Sequence, residues 1–274
     1  MLLGVLGKPF LVLDDLLDLR ALDDVHEEVC VALAAAPTGY TGGSHRAMGI
    51  MPPEREAEAL SDYQEVIRGL DDAHFEVLRS LADQPARFPG RASAADLEFG
   101  EERAVPLSHR QMLWLKMRFG VYFPWKVYAE LIPNERWEDK GNARGKRFTR
   151  TAEALFPRTI AFVKSLPFRA IGRCNVMGLE AHDHGTVHRD GDPDPERRPD
   201  PFITFAPAAG RKRLFLYDAA SRAETDVSGR AYWFNDHDYH GVRADPFFRY
   251  SIRVDGPFEA SFLSRLNELA GVAR

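Results

Sequence analysis

The chain has 274 residues, of which 45% are hydrophobic and 28% charged, as in an ordinary water-soluble globular protein. Its formal net charge of −5 argues against a phosphate backbone as partner, so we expect no nucleic-acid binding. Two cysteines, Cys30 and Cys174, are too few for a disulfide framework and favour a cytoplasmic location. No run approaches the roughly 18 apolar residues of a membrane helix. The first residues lack the basic leader of a signal peptide and the sequence becomes acidic by Asp14, so we expect no signal peptide.

The first two-thirds of the sequence is mainly typical of helices. Apolar residues at helical spacing predict one helix over about 14–36, a second over 53–82 and a third over 147–165, before a proline. Residues 84–102 are rich in Gly, Ala, Pro and charge, which predicts a surface loop. Aromatic residues crowd between 107 and 137, either as the wall of a substrate pocket or as packing between layers.

The last third changes to the pattern of β-strands. Five short runs are bounded by Gly, Pro or Asp clusters, as closely spaced antiparallel strands are: AIGRCNVMGLE, PFITFAP, KRLFLYD, RAYWFND and FFRYSIRVDG. We therefore predict an α+β protein. Residues 168–274 form its antiparallel core, a sandwich or small barrel, and the mainly helical residues 1–167 pack on the outside of the same unit.

A candidate metal site lies in the strand-rich part, where five of the nine histidines fall between residues 182 and 240. In HGTVHRDGD, His188 and Asp190 are two residues apart, so both side chains leave one face of an extended segment. His240, in NDHDYHGV, follows 52 residues later as a third ligand. Two imidazoles and one carboxylate on one side of a metal leave the other side open, which suits Fe(II) binding a bidentate co-substrate together with O2.

Other ligand choices remain open at this point. Asp192 is an alternative carboxylate, and His237 is an alternative distal imidazole. His182 and His184 resemble the first half of a cupin metal motif, but the glutamate that should follow three or four residues later is absent. We expect these extra histidines to line the rim of the site or the surface.

The run FFRYSIRVDG has one polar face, formed by Arg249, Ser251 and Arg253, and one apolar face. A row of buried cationic side chains beside a metal is costly unless an anion lies there. Because a guanidinium holds a carboxylate through two parallel hydrogen bonds, this row predicts an anionic co-substrate such as a dicarboxylate.

The order of these residues resembles the Fe(II)/2-oxoglutarate-dependent dioxygenase family, over roughly residues 168–258. The family pattern is a His-x-Asp pair, here His188 and Asp190, a distal histidine, here His240, and a basic residue that holds the far carboxylate of 2-oxoglutarate. Arg249 begins an Arg-x-Ser element seen in many members, and the HGV sequence is similar to the aspartyl/asparaginyl β-hydroxylase branch and related amino-acid and peptide hydroxylases.

The resemblance implies a double-stranded β-helix that binds Fe(II) through the three ligands above and uses 2-oxoglutarate as co-substrate. It also implies that Arg249 or Arg253 anchors the far carboxylate. We favour Arg249, with Ser251 adding a hydrogen bond. Asn175, on the preceding strand, is a further candidate to contact 2-oxoglutarate or the metal shell, although a polar residue near the end of a strand explains it equally well.

The presence of Asp190 favours hydroxylation, because related halogenases have a small residue at this position. The expected substrate is an amino-acid side chain, in a peptide, in a natural-product precursor or free. One alternative is a cupin-like metalloprotein, an isomerase or sensor, that uses His182, His184 and His240 without 2-oxoglutarate. Such a protein does not need the arginine row. A second alternative is a non-enzymatic binding module that keeps the barrel without metal.

Overall fold

The computed structural model describes residues 1–36, 39–41, 45–46, 48–59, 61–94, 96–97, 99, 105–123, 125–134, 136–208 and 213–272, with backbone only at 39–41, 94, 125–128 and 137. Its strands are β1 (Phe10–Val12), β2 (Gly39–Thr41), β3 (Trp125–Ile132), β4 (Arg173–Leu179), β5 (Gly185–His188), β6 (Phe202–Phe205), β7 (Leu214–Asp218), β8 (Ala223–Asp226), β9 (Ala231–Phe234), β10 (His240–Val242) and β11 (Arg249–Asp255). The α-helices are α1 (Leu22–Ala35), α2 (Tyr63–Gly69), α3 (Asp72–Ser80), α4 (Arg91–Ala94), α5 (His109–Phe119), α6 (Arg150–Leu155), α7 (Pro157–Lys164) and α8 (Ala260–Ala270). Two 3-10 helices span Pro53–Ala59 and Trp137–Asp139.

The strands form two antiparallel sheets. The larger sheet has the order β1-β9-β6-β11-β4-β3-β2 and the smaller sheet the order β5-β10-β7-β8. From β4 onward the strands pair from the outside inward: β4 with β11, β5 with β10, β6 with β9, and β7 with β8. Successive pairs alternate between the two sheets, so residues 173–255 form one long antiparallel ribbon that winds through two layers.

Strand β11 shows why the two faces of the larger sheet differ. All seven of its residues are buried. Tyr250, Ile252 and Val254 belong to the main apolar core, and the Tyr250 hydroxyl lies 3.0 Å from Nδ1 of His26 on α1. The residues between them point toward the smaller sheet, as in any strand, and Arg253 reaches Asp190 beyond the end of β5. A polar row is thereby held between the sheets.

Helices cover the outer, apolar face of the larger sheet. Helices α1, α7 and α8 all contribute buried residues to the core that contains this face. Phe162 of α7, for example, packs edge-on against Phe205 of β6, with ring centroids 5.1 Å apart. Burying a side chain of this size stabilises the fold by roughly 1.5–3 kcal/mol, so the helices and the sheet stabilise each other.

A second apolar core lies among α2, α3 and α5 and accounts for part of the aromatic-rich segment. Phe123 is buried in it, and Trp114 and Phe119 pack against its edge. Here the aromatic side chains are packing between elements. The side chains of Trp125 and Tyr128, which belong to the same predicted band, lie outside the described residues, as does that of Trp137.

The prediction of a mixed protein with antiparallel strands in its last third is confirmed, and the five predicted runs contain β4, β6, β7, β9 and β11. Three further strands, β1 to β3, come from the N-terminal region and extend the larger sheet. The described part of the predicted loop over 84–102 contains the short helix α4. No described helix has both the length and the apolar character needed to cross a bilayer.

The predicted long helices are broken at identifiable residues. Within 53–82, Asp62 accepts a hydrogen bond from Gln64 N at 2.9 Å and starts α2. Asp71 accepts from His74 N at 2.8 Å and starts α3. Each aspartate is in an extended conformation and satisfies a helix N–H group, so it begins a new helix instead of continuing the previous one. The segment 147–165 divides at Phe156, ahead of Pro157.

Candidate metal centre

His188, Asp190 and His240 come together between the two sheets. Their ligand atoms all lie within 4.8 Å of one another, and Asp190 Oδ1 is 3.5 Å from His188 Nε2 and 4.0 Å from His240 Nε2. Both histidines are buried. They meet because β5 and β10 are paired with His188 directly opposite His240. The sheet register therefore brings a ligand from late in the chain beside the His-x-Asp pair.

The same local contact orients both imidazole rings. His188 Nδ1 lies 2.8 Å from the carbonyl oxygen of Thr186, and His240 Nδ1 lies 2.9 Å from that of Asp238. Because a carbonyl oxygen only accepts, each Nδ1 must donate, which leaves the lone pair on Nε2. Both Nε2 atoms face Oδ1 of Asp190, so three lone-pair donors converge on one point.

The protonation states also suit a metal. Burial lowers the pKa of His240 to about 4, and the nearby His188 adds to this effect. Burial disfavours the charged form of Asp190, but His188, His240 and Arg253 outweigh it and hold the pKa of that carboxyl well below its usual range. Neutral imidazoles and an ionised carboxylate are the forms that bind metal ions.

Arg253 holds the second oxygen of Asp190. Its Nη1 lies 3.2 Å from Asp190 Oδ2, while Nη2 donates to Asp236 Oδ2 at 2.6 Å and Nε to Asp255 Oδ1 at 3.0 Å. Although burial opposes the charge, Asp255, Asp236 and Asp190 raise the pKa of the guanidinium. The positive charge of Arg253 is thus shared among three carboxylates, and Asp190 keeps only Oδ1 for the metal.

A second group of ligand-type atoms, from Asp200, Asp236 and His237, also lies within 4.8 Å. The ammonium of Lys140 lies 3.0 Å from Asp200 Oδ2 and 2.6 Å from Asp236 Oδ2. His237 Nδ1 donates to the carbonyl of Asp192 at 2.8 Å. A lysine therefore neutralises these two carboxylates, and the cluster extends the ion network of Arg253.

Arg249 lies at the other end of the polar face of β11 and is fully buried. Its guanidinium donates to the carbonyl of Glu180 at 3.1 Å, to that of Asp183, and to that of Arg243 at 2.7 Å. These contacts join the β4–β5 connection to the β10–β11 connection. Its Nε has no hydrogen-bond partner among the described residues. Ser251, between the two arginines, is also fully buried.

A polar row crosses five strands at the level of Arg253. Arg253 is opposite Asn175 of β4 on one side and Thr204 of β6 on the other. Asn175 is opposite Glu130 of β3, and Thr204 is opposite Tyr232 of β9. The Tyr232 hydroxyl is buried and has no hydrogen-bond partner within the described part of the chain. The space between the sheets therefore presents polar groups to a ligand as well as to a metal.

The remaining histidines of the sequence cluster lie elsewhere. His182 is exposed in the β4–β5 connection, with a positive φ of 65°. The carbonyl of His184 accepts a hydrogen bond from the Tyr122 hydroxyl at 2.8 Å. Among the described residues, neither imidazole belongs to a cluster of metal-ligand atoms, so the cupin-like pair is not assembled with His240. Asp192 is exposed and pairs with Arg189 at 2.8 Å.

Sequence analysis missed one residue at the centre, His45. Its ring stacks on that of His188, with centroids 3.7 Å apart and planes inclined by 23°. Burial, reinforced by the nearby imidazoles, lowers its pKa well below the usual range. In the sequence it stands in TGGSHRAMG, which carries no metal motif. Only the fold brings His45 beside β5.

The sequence matches no protein-family model and no curated protein. Among solved structures, an oxidoreductase of the 2OG-Fe(II) oxygenase family from Burkholderia pseudomallei is 12% identical at a TM-score of 0.31, covering 47% of this chain and 66% of that one. A Pseudomonas putida prolyl-4-hydroxylase is 13% identical at a TM-score of 0.28, with 49% and 72% covered. A cupin 2 barrel protein from Salinispora arenicola is 12% identical at a TM-score of 0.22, with 38% and 72% covered. Scores this low assign no family, so function is argued from the site.

Proposed function

We propose that this chain is an Fe(II)- and 2-oxoglutarate-dependent dioxygenase that hydroxylates an unactivated C–H bond. The observation that supports this most directly is the convergence of His188 Nε2, His240 Nε2 and Asp190 Oδ1 on one point between the sheets. Two imidazoles and one carboxylate on one side of Fe(II) leave positions for a bidentate co-substrate and O2. The neutral imidazole of His240 and the ionised carboxylate of Asp190 fit this ion.

The fold that we propose for residues 168–274 is a double-stranded β-helix, with residues 1–167 packed on it. The nested pairing of β4 to β11, alternating between two sheets, supports this assignment. In this arrangement His188 lies on β5, Asp190 follows just after β5, and His240 lies on β10, which is paired with β5. A metal held by these three residues would therefore lie inside the ribbon.

Within this proposal the two arginines have different roles. Arg253 is shared by three carboxylates and orients Asp190. Burial lowers the pKa of Arg249, and Asp245, whose Oδ2 is 3.6 Å from Nε, compensates the charge only in part. A buried cation with an open donor attracts an anion, so we assign Arg249 as the anchor for the far carboxylate of 2-oxoglutarate. Ser251 and Asn175 line the same inner face and supply further hydrogen-bonding groups.

When bound, Fe(II) and 2-oxoglutarate supply the oxidising chemistry, in which O2 is consumed and 2-oxoglutarate becomes succinate and CO2. The protein's contribution is to orient Asp190 through Arg253 and to hold both imidazoles with Nε2 inward. Phe234, edge-on to His240 at 5.0 Å between centroids, shields that ring from water. The substrate that we propose is an amino-acid side chain in a peptide or natural-product precursor, or another small molecule.

The proposal is tested by measuring succinate formed from 2-oxoglutarate with Fe(II) and O2, against a panel of amino acids and peptides. We expect turnover that depends on both Fe(II) and 2-oxoglutarate and rises with the correct substrate. Asp190→Ala should abolish it, whereas Asp192→Ala, a matched loss of an exposed aspartate two residues away, should retain it. Absence of Fe(II) binding to the folded protein, or unchanged turnover by Asp190→Ala, would contradict the proposal.

A further inference from the structure

We infer that His45 is a positioning residue of the metal centre: it holds the ring of His188 from one face, and this inference rests on the metal centre proposed above. The two rings are stacked at 3.7 Å between centroids, close to the thickness of an aromatic ring. Both side chains are buried. The contact joins a ligand in the C-terminal ribbon to a residue that precedes it by 143 positions.

Thr186 fixes both rings at once. Its carbonyl oxygen accepts the hydrogen bond from His188 Nδ1 at 2.8 Å, and its hydroxyl lies 2.8 Å from Nδ1 of His45. Thr186 is itself fully buried on β5. The carbonyl of Thr186 therefore holds the His188 ring at its edge, and the ring of His45 packs against its face. The hydroxyl of Thr186 holds His45 in place.

The segment that carries His45 is attached to β5 at a second point. Arg189 N, between the two ligands of the His-x-Asp pair, donates to the carbonyl of Ile50 at 3.1 Å. Met51, the next residue, is buried. These two contacts hold His45 and Ile50 at positions on either side of His188, so the stacked geometry is built into the fold.

His45 acts through His188 and not as a ligand. His188 would hold a metal through the lone pair of Nε2, since its Nδ1 donates to the carbonyl of Thr186. The nitrogens of His45 lie in a second, nearly parallel plane, and they do not belong to the cluster of ligand atoms found among the described residues. A metal-bound imidazole carries part of the metal's positive charge, and a neutral aromatic face stacked against it stabilises that charge.

The test is metal binding, measured anaerobically by titrating Co(II) or Fe(II) into the purified, metal-free protein and recording the Co(II) absorption spectrum. His45→Ala should weaken binding at least tenfold, within the 10–100-fold range that partners of metal ligands contribute. His45→Phe keeps an aromatic ring and loses the bond to Thr186. It should recover affinity to within about threefold of wild type, since the stack is retained. His45→Asn keeps a polar side chain without the ring and should remain weak.

Each control separates this inference from the proposed function. If His188→Ala binds Co(II) as well as wild type, the metal centre itself is wrong. If His188→Ala loses the metal while His45→Ala binds it with unchanged affinity and spectrum, the metal centre stands and the role of His45 is refuted. If His45→Asn recovers the Co(II) affinity and His45→Phe does not, ring stacking is not what supports His188. Thermal unfolding of each metal-free variant shows whether it is folded. If His45→Ala does not fold, the comparison of His45→Phe with His45→Asn tests the role of the His45 ring.

Discussion

At the scale of single residues, the two arginines of β11 show how one strand face serves two purposes. Arg253 lies within hydrogen-bonding distance of Asp190, Asp236 and Asp255, so its positive charge is compensated inside the protein. Arg249 contacts neutral carbonyl groups and retains a buried, only partly compensated charge. Both lie on the same face of β11. The three carboxylates within hydrogen-bonding distance of Arg253 are the reason why we propose Arg253 as the orienting residue and Arg249 as the anchor.

This difference predicts opposite results for the same substitution. Arg249→Gln should raise the Michaelis constant for 2-oxoglutarate at least tenfold with Fe(II) affinity unchanged, because an unpaired buried carboxylate costs about 2–5 kcal/mol. Arg253→Gln should instead weaken Fe(II) binding, since Asp190 loses its orienting partner. Steady-state kinetics and metal titration of folded variants measure both. If Arg253→Gln raises the Michaelis constant with iron still bound and Arg249→Gln does not, the two roles are reversed.

The buried histidines predict how the stability of the metal-free protein depends on pH. The pKa of His240 is about 4 in the folded chain against 6.5 for a free histidine. Between these values the unfolded chain binds more protons, so the free energy of unfolding rises with pH across this window. At 1.36 kcal/mol per pKa unit the contribution of His240 is of the order of 3 kcal/mol. Urea unfolding between pH 4 and 7 should show this slope, and His240→Gln should reduce it. An unchanged slope contradicts the burial of a neutral imidazole.

At the scale of elements, strand β10 is short and closely fitted between its neighbours. A Cβ atom at Gly241 would lie 2.8 Å from Phe215 Cζ on β7 and 3.0 Å from the carbonyl oxygen of Gly185 on β5. Both distances are shorter than normal contacts, so a side chain at this position forces β10 away from one partner. Since His240 is the preceding residue, the metal centre depends on this close approach.

Gly241→Ala should therefore lower both stability and metal affinity. Overpacking of a filled interior costs roughly 1–3 kcal/mol, and a shift of β10 moves His240 Nε2 away from the other two ligands. Gly90→Ala is a suitable control, because nothing lies within 4 Å of a Cβ built there. Urea unfolding and Co(II) titration of the two variants measure the effect. Equal behaviour of both variants would show that β10 has room to adjust.

The elements also show what the sequence can and cannot predict. Polar and apolar residues alternate along β4 and β11, and this pattern can be read from neighbouring residues in the sequence. It predicts both strands and the polar face that carries Ser251. The three candidate ligands could be proposed from the sequence because His188 and Asp190 are two residues apart and His240 stands shortly before the predicted strand run that carries Arg249. By contrast, β2 and β3 pair with each other across more than 80 residues, and nothing local in their sequences specifies that pairing. His45 was missed for the same reason.

At the scale of the whole molecule, the N-terminal region contributes to the centre of the fold as well as covering it. It supplies three strands to the larger sheet, His45 beside one metal ligand, and Lys140 within the buried ion network. Sequence analysis predicted that residues 1–167 pack on the outside of the same unit; the strands β1 to β3, His45 and Lys140 are contributions of this region that it did not predict. Residues from both parts of the chain converge between the sheets, so the integrity of the site depends on their association.

Lys140 allows this dependence to be measured. Its ammonium is 2.6 Å from Asp236 and 3.0 Å from Asp200, and both Lys140 and Asp236 are buried. Removing one partner of a buried ion pair leaves an uncompensated charge, which costs about 3–5 kcal/mol. Because Arg253 still pairs with Asp236, Lys140→Met should lower the free energy of unfolding by at most this amount. Lys146→Met should cost less, because Lys146 is more exposed and donates hydrogen bonds to two neutral oxygens, the side-chain Oδ1 of Asn134 and the carbonyl oxygen of Asp139.

The double variant Lys140→Met/Asp236→Asn distinguishes an ion pair from a lysine that merely fills space. If the charges interact, neutralising Asp236 relieves the cost of removing Lys140. The combined loss measured by urea unfolding should then be smaller than the sum of the two single losses by at least about 1 kcal/mol, as for residues in direct contact. Additive losses would show that the two parts of the chain are joined by packing alone. A smaller combined loss means that the ion pair itself connects the N-terminal region to the network that orients the metal ligand.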